Sequence, residues 1–141
     1  MNTAPPPVGA ALPHESAHLH VTGEAAYTDD LPEPAGTLHA APGLSSVAHG
    51  RIVSLDLSAV RAAPGVRAVI VAADIPGDNN CGAAVHDDPI LADGEVSFHG
   101  QPLFAVAADT RDQARHAARL AQVEIEAWPA LLTVEDALAA D

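Results

Sequence analysis

The hydrophobic pattern of residues 50–74 predicts a strand, a short helix and a second strand. GRIVSLDLS (50–58) alternates apolar and polar positions, as a strand with one buried face does. The face expected to be buried carries Val53, Leu55 and Leu57. Ser58 is suited to cap a helix over AVRAA, which would end at Pro64. VRAVIVAAD (66–74) then predicts a second and more fully buried strand.

The same order of elements recurs in residues 101–128. QPLFAVAAD (101–109) and VEIEAW (123–128) predict strands on either side of a helix. Thr110 and Gln113 fit a capping box, in which the two side chains satisfy backbone amides at the helix start reciprocally. The helix face expected to be buried carries Ala114, Ala117, Ala118 and Ala121.

A long polar insert, residues 74–100, joins these two units. Loops of that length in compact domains are usually functional or bind a partner. TLHAAPGLSS (37–46) predicts an edge strand, because Pro42 removes a backbone donor in mid-segment. TVEDALAA (133–140) predicts a further helix, capped in a looser variant of the capping box by the residues Thr133 and Asp136.

The chain is therefore predicted to be an α+β domain over residues 20–141, preceded by an extended tail over residues 1–19. The tail is rich in Pro, Ala and His and has no periodicity. Residues 20–36 are expected to continue irregular, since Pro32, Pro34 and Gly36 interrupt them.

Composition indicates a thin hydrophobic core. Hydrophobic residues make up 48% of the chain, but 31 residues are alanine and 3% are aromatic. Alanine buries little area, and burial stabilises by roughly 25 cal/mol per Å² of apolar surface. Such a domain is expected to take stability from a neighbour or to be part of something larger.

The charge balance excludes several functions. The net charge is −13, with 19 acidic residues against six cationic ones, all arginine. Nucleic acids and anionic membranes are therefore not expected as partners. Because lysine is absent, Schiff-base chemistry, a GKS/GKT phosphate loop and a biotin or lipoyl carrier role are excluded as well.

Cysteine content and the N-terminal sequence suggest a cytoplasmic protein. Cys81 is the sole cysteine, so a disulfide scaffold is excluded. MNTAPPPVGAALP has neither a basic region nor a long apolar run, so no signal peptide is expected. The longest apolar runs, AVIVAA and LFAVAA, are too short to span a bilayer.

Candidate metal ligands and nucleophiles are few. His14, His18 and His20, with Asp29 and Asp30 nearby, have suitable donor types but lie in the predicted tail, so exposed histidines are the favoured interpretation.

Two further candidates lie in the insert. Adjacent side chains such as those of His86, Asp87 and Asp88 point apart and seldom converge on one ion. Cys81 has neutral or acidic neighbours, which do not lower a thiol pKa, so a passive thiol is favoured over a nucleophile. IPGDNN (75–80) is expected to form a turn rather than an anion cradle, because GxGxxG is absent.

The remaining aromatic candidates are Phe104 and Trp128, which are expected in the core rather than in ligand stacking. No nucleophile–base–orienter set is recognisable. We therefore assign no catalytic, cofactor-binding or metal residue.

Seven short segments in fixed order, over about residue 9 to the end, resemble the N-terminal region of the molybdenum-binding part of the xanthine dehydrogenase family. They are HVTGEAAYTDD (20–30), SSVAHGRIVSLD (45–56), APGV (63–66), AADIPGDNNCG (72–82), DDPILADGEV (87–96), GQPLFAVAADT (100–110) and WPALLTVEDAL (128–138). The fourth and fifth look closer to xanthine dehydrogenases than to carbon monoxide dehydrogenase or other aldehyde oxidases.

The resemblance implies an α/β-hammerhead domain, with two strand–helix–strand units and an inserted hairpin-like arm, at the start of a larger molybdopterin-binding subunit. The family's holoenzyme hydroxylates xanthine and hypoxanthine, and passes electrons through iron–sulfur clusters and FAD to NAD. Its molybdenum-site residues lie downstream, so the fragment alone is expected to be inactive. One cysteine cannot hold an iron–sulfur cluster.

The expected partners are the remainder of the molybdenum-binding subunit and the iron–sulfur/FAD subunit. Residues 20–34 would form a polar strap on neighbouring surface, anchored by Tyr27. Alternatives are a free-standing acidic binding module that uses residues 74–100, a histidine-based metal binder, and an aldehyde oxidase-type member. Self-association of the isolated domain through uncovered surface is also expected to be feasible.

Overall fold

The computed structural model describes residues 8–140, and the chain divides into two compact units between Ala35 and Gly36. In the first unit, helix α1 (Ala17–Thr22) ends at Gly23, whose φ of 77° is the left-handed conformation common after helices. A 3-10 turn follows at Thr28–Asp30. The expectation that residues 20–36 are irregular is thus wrong in part, and α1 crosses the position predicted to end the tail. The tail's first seven residues lie outside the described part, and the domain limits in the whole protein stay a prediction.

The second unit contains two antiparallel three-stranded sheets with short helices, which confirms the predicted α+β class. Its strands are β1 (His39–Leu44), β2 (Gly50–Asp56), β3 (Val66–Val71), β4 (Glu95–Val96), β5 (Pro102–Ala108) and β6 (Gln122–Ala127). Its helices are α2 (Ser58–Ala62), α3 (Arg111–Ala118) and α4 (Val134–Ala139). The strand orders are β1-β5-β3 and β4-β2-β6, so β1 is an edge strand as predicted.

The two strand–helix–strand units exchange strands between the sheets. The first strand–helix–strand unit runs β2-α2-β3 and the second runs β5-α3-β6, in the predicted order. Yet β2 pairs with β6, and β3 pairs with β5. Each unit thus supplies one strand to each sheet, so neither unit completes a sheet without the other.

A β-bulge at Val53 changes which side chains of β2 face inward. Ile52 lies opposite Ile125 and Ser54 lies opposite Glu124, so Val53 is an extra residue in the ladder. Such an insertion shifts the alternation by one position. Ile52 and Leu55 pack against the core, whereas Val53 is 48% exposed. The prediction that Val53 faces inward is therefore wrong, and the prediction for Leu55 and Leu57 is confirmed.

The prediction that β3 is the more fully buried strand is also wrong. β3 lies at the edge of its sheet, and only Val69 among its residues is buried. β5 lies at the centre, and buries Leu103, Phe104, Val106 and Ala108. Position in the sheet, rather than length of the apolar run, decides burial here.

The threonine hydroxyls cap α3 and α4 as predicted, whereas the serine predicted to cap α2 does not. Backbone N–H groups of Gln113 and Asp136 donate to the hydroxyls of Thr110 and Thr133, at 3.2 and 3.1 Å. The reciprocal bond predicted at α3 is absent from the described contacts, since the Gln113 Oε1 atom accepts from the Thr110 hydroxyl instead.

Helix α2 begins one residue earlier than predicted, and Ser58 lies inside it rather than at its cap. The Asp56 carboxylate accepts from the Ser58 backbone N–H at 2.9 Å. Hydrogen bonds from Ser58 lower the pKa of Asp56. The Asp56 carboxylate, rather than the Ser58 hydroxyl, therefore accepts a hydrogen bond from a backbone N–H at the start of α2.

The core lies between α3 and the β1-β5-β3 sheet and is built largely from small residues. Ala114 and Ala117 of α3 are fully buried, and Ala118 and Ala121 pack beside them, as predicted. The insert contributes Ala92 and Val96. At the rim, the Arg67 guanidinium binds both Asp109 carboxylate oxygens at 2.7 and 2.8 Å, and its hydrogen bonds lower the pKa of Asp109.

Candidate docking surface

The candidate metal ligands near the N-terminus do not converge. The rings of His14 and His20 lie edge to face with centroids 5.9 Å apart. The His20 Nδ1 atom lies 3.0 Å from the Tyr27 hydroxyl, and the Asp30 carboxylate accepts from the Tyr27 backbone N–H. Among residues 8–140, no three His, Cys, Asp or Glu side chains are grouped to hold a metal ion. His14 and His20 instead form a chain of ring contacts that ends at Tyr27, which remains 62% exposed.

The Cys81 thiol hydrogen-bonds to Asp88 rather than to a cation. Its Sγ lies 3.3 Å from the Asp88 backbone oxygen and 3.4 Å from the carboxylate Oδ2 atom. The hydrogen bond to the Asp88 side chain raises the pKa of Cys81. Since the thiolate is the nucleophile, this environment works against nucleophilic chemistry.

His86 contacts an acid that sequence analysis did not pair with it. Its Nδ1 atom lies 3.3 Å from Asp78 Oδ2, and both side chains are mostly exposed. The adjacent acids Asp87 and Asp88 do not make this contact. Exposed ion pairs of this kind stabilise little, so the contact orders the insert only weakly.

The Asn79 side chain holds the insert closed by hydrogen bonds to the backbone of Leu91. Sequence analysis missed this role. The Asn79 side chain donates to the Leu91 backbone oxygen at 2.7 Å and accepts from the Leu91 N–H at 3.0 Å. The next residue, Asn80, accepts from the Gly82 N–H at 2.7 Å. Asparagine side chains imitate backbone groups in this way, and the Asn-Asn pair was the available signal. The insert is thus a closed loop that presents Val85 outward, with 63% of that side chain exposed.

Trp128 is not a core residue, contrary to expectation, whereas Phe104 is buried as predicted. The indole lies edge to face with His49, with centroids 5.2 Å apart. The backbone N–H of Trp128 donates to the backbone oxygen of His49. The His49 Nδ1 atom lies 2.9 Å from the backbone oxygen of Pro129. The pair fixes the direction in which the chain leaves β6.

The segment after Pro129 carries an uncovered apolar stripe. Val134 and Leu138 are one turn apart on α4, Leu131 and Leu132 directly precede its cap, and Leu138 is 74% exposed. No residue of α4 is buried. An amphipathic helix normally buries such a side, so this stripe is a candidate docking surface. We name Leu131, Leu132, Val134 and Leu138 the C-terminal stripe.

A groove of about 610 Å³ lies between β1 and α3. Its floor includes Phe104, Ala118 and Val123, and its rim carries Arg115 and Arg119. We name it the α3–β1 groove. It differs from the C-terminal stripe in being concave and in carrying cations.

These surfaces belong to an α+β domain of the hammerhead class, and comparison with known proteins identifies the family. The family described as "Aldehyde oxidase and xanthine dehydrogenase, a/b hammerhead domain" matches residues 22–129. The chain therefore belongs to the aldehyde oxidase and xanthine dehydrogenase family, as the sequence resemblance implied.

Individual relatives agree with this assignment. A xanthine dehydrogenase of Oryza sativa subsp. japonica is 45% identical over 133 residues, which cover 94% of this chain and 10% of that protein. Aldehyde oxidase 4 of Cavia porcellus is 44% identical, with the same shares covered. The aldehyde oxidoreductase structure from Desulfovibrio gigas matches with a TM-score of 0.79 and 36% identity, covering 92% of this chain and 15% of that one.

These relatives are oxidoreductases by name, and the chain spans about one tenth of the length of the curated ones. In the D. gigas structure, the matching domain is likewise a small part of its chain. No helix in residues 8–140 is long and apolar enough to cross a membrane. A lone cysteine does not fit an iron–sulfur cluster.

Proposed function

We propose that this chain is the structural and assembly domain at the start of the molybdenum-binding part of a cytoplasmic xanthine dehydrogenase. The C-terminal stripe carries the proposal, because it leaves apolar side chains uncovered in a chain with few large ones. Exposed apolar side chains of this kind mark interaction sites. The family membership supplies the partner class, namely the remainder of a longer oxidoreductase.

In this proposal, the domain itself contributes no catalytic group. The holoenzyme hydroxylates xanthine and hypoxanthine, and NAD accepts the electrons. Molybdopterin, iron–sulfur clusters and FAD are bound by other parts of the enzyme. Several relatives named xanthine dehydrogenase support this choice over an aldehyde oxidase-type member. Xanthine-dependent reduction of NAD by the whole enzyme, compared with turnover of aldehydes, separates the two substrate classes.

Co-expression tests the assembly role. Residues 1–141 and the downstream polypeptide are produced as two chains, and only the first is tagged. We expect a stable one-to-one complex that oxidises xanthine. The double variant Leu131→Asn/Leu138→Asn should lose the complex, since it removes the apolar stripe. Failure of the unmodified chains to form a complex contradicts the proposal.

Val85→Asn is the matched control, because it makes the same kind of change on the insert at similar exposure. If Val85→Asn rather than the stripe variant disrupts binding, the insert is the binding surface and the free-standing module becomes the better hypothesis. Tyr27→Ala in the intact enzyme tests the proposed strap over residues 20–34. We expect a lower thermal midpoint, and unchanged assembly, midpoint and turnover would contradict the strap.

A further inference from the structure

The α3–β1 groove combines an apolar floor with two cations in an otherwise acidic chain. Arg115 and Arg119 are one helical turn apart, so their side chains share one side of α3. Both are exposed and both line the groove. The buried Phe104 ring and Val123 form part of the apolar lining. The groove therefore suits a ligand that is both apolar and negatively charged.

The charges of Arg115 and Arg119 are not neutralised within the described part of the chain. Arg51 binds Glu126 and Arg67 binds Asp109, whereas Arg61 donates to the Val69 backbone oxygen. Neither groove arginine makes a comparable ion pair or side-chain hydrogen bond to any of residues 36–140. Arg111, one turn before Arg115, makes none within this range either, but it does not line the groove. Arginine binds carboxylates through paired hydrogen bonds, so acids are the natural complement.

The neighbouring strand edge limits how the ligand binds. β1 is an edge strand, and edge strands present backbone groups to which another strand can add. Pro42 lies in the middle of β1 and lacks an N–H, which interrupts a continuous ladder. The ligand must therefore be held mainly by its side chains. Two carboxylates spaced to meet the arginines, together with a small apolar side chain on the floor, satisfy these conditions.

We propose that the α3–β1 groove binds an acidic, partly apolar segment of the same enzyme's polypeptide, outside residues 1–141. The proposal rests on the proposed function, because it needs the rest of the enzyme to be present. The relatives place this domain beside about nine times as much further chain, so such a segment is close at hand. The two arginines select the segment by charge, and the floor excludes water around it.

The absence of lysine makes the test specific. Arg115→Lys and Arg119→Lys keep the positive charge and introduce an amine into a lysine-free domain. The whole enzyme is treated with a carbodiimide, which joins amines to carboxylates in direct contact, and is then digested for mass spectrometry. Arg61→Lys is the matched control, because it makes the same substitution on another helix, α2, at a residue that does not line the groove.

We expect Arg115→Lys and Arg119→Lys to give one shared cross-linked acidic peptide from outside residues 1–141. The Arg61→Lys enzyme should yield it at least tenfold less. Cross-links only within the domain, to a second copy of it, or at equal yield in the control would overturn the proposal. If the two-chain complex forms but no such peptide appears, the groove proposal fails while the assembly role stands.

A second measurement follows the charge itself. Arg115→Gln/Arg119→Gln should lower the thermal midpoint of the whole enzyme at low ionic strength, whereas Arg115→Lys/Arg119→Lys, which keeps both charges, should lower it less. Salt screens exposed charges, so the difference should shrink at high ionic strength. An equal midpoint for both variants in low salt would contradict a bound acidic segment.

Discussion

The ring of Phe104 occupies the space in which a side chain at residue 43 would lie. Gly43 of β1 and Phe104 of β5 are direct cross-strand partners. A Cβ atom added at Gly43 would overlap the ring carbons of Phe104, and Phe104 is almost completely buried. The glycine therefore lets the largest core side chain fold across its neighbouring strand.

Gly43→Ala should lower the free energy of unfolding by about 1–3 kcal/mol, because the buried ring cannot move aside without disturbing the core. Gly77→Ala is the matched control, since a Cβ there meets nothing within 4 Å. The control should stay within about 0.5 kcal/mol of the unmodified protein. Urea unfolding of the three proteins checks this, and equal midpoints for the two variants would contradict the steric explanation.

The local elements could be predicted from the sequence, but the partners of the strands could not. The order β2-α2-β3 and β5-α3-β6 follows from hydrophobic patterns and from caps such as that of Thr110. The exchange of strands between sheets depends on contacts between Gly50 and Ala127, which are far apart in sequence. A period-2 pattern shows which side of a strand is apolar, but it does not show which strand lies beside it in the sheet.

The bulge in β2 gives the sharpest test of where the pattern failed. Ile52→Ala should lower the free energy of unfolding by about 1–2 kcal/mol, below the range for full burial because the side chain is half-buried. Val53→Ala should change it by less than about 0.5 kcal/mol, since that side chain points away from the core. Thermal and urea unfolding check both values. If Val53→Ala lowered the free energy of unfolding more than Ile52→Ala does, the bulge would be contradicted and an uninterrupted alternation with Val53 facing the core would be supported.

The two candidate surfaces differ in how far the sequence predicts them. The helix predicted over residues 133–140 carries Val134 and Leu138 one turn apart, which was the available signal for the C-terminal stripe, although sequence analysis did not single it out. The α3–β1 groove could not be predicted, because β1 precedes α3 by about seventy residues and a local pattern does not show that the two pack together. The available sequence signal was the pair Arg115 and Arg119 next to the alanine face of α3. By itself, such a pair indicates only that this side of the helix faces solvent.

The two threonine caps should contribute unequally to stability. Thr110→Ala removes the acceptor for the Gln113 N–H and should cost about 1 kcal/mol, since α3 buries Ala114 and Ala117. Thr133→Ala removes the same bond at α4, which buries nothing. Fraying of α4 does not require global unfolding, so the second variant should leave the unfolding midpoint nearly unchanged.

Unfolding by circular dichroism compares the two variants, and hydrogen exchange locates the opening. Exchange of α4 amides should accelerate in Thr133→Ala, whereas in Thr110→Ala the amides of the core should also open faster. If both variants shift the midpoint equally, α4 is packed against the domain more firmly than its exposure indicates.

Cys81 should react slowly with alkylating agents although it is exposed. The hydrogen bond to the Asp88 side chain raises the pKa of the thiol, so less thiolate is present at a given pH than in a free cysteine. The pH at which iodoacetamide alkylation reaches half its maximal rate should therefore lie above about 8.5, the pKa of an unperturbed thiol.

The variant Asp88→Asn removes the neighbouring charge and should move this pH–rate curve to lower pH. Asp87→Asn is the matched control and should leave it in place. If Asp88→Asn does not shift the curve, the carboxylate is not the cause of the raised pKa.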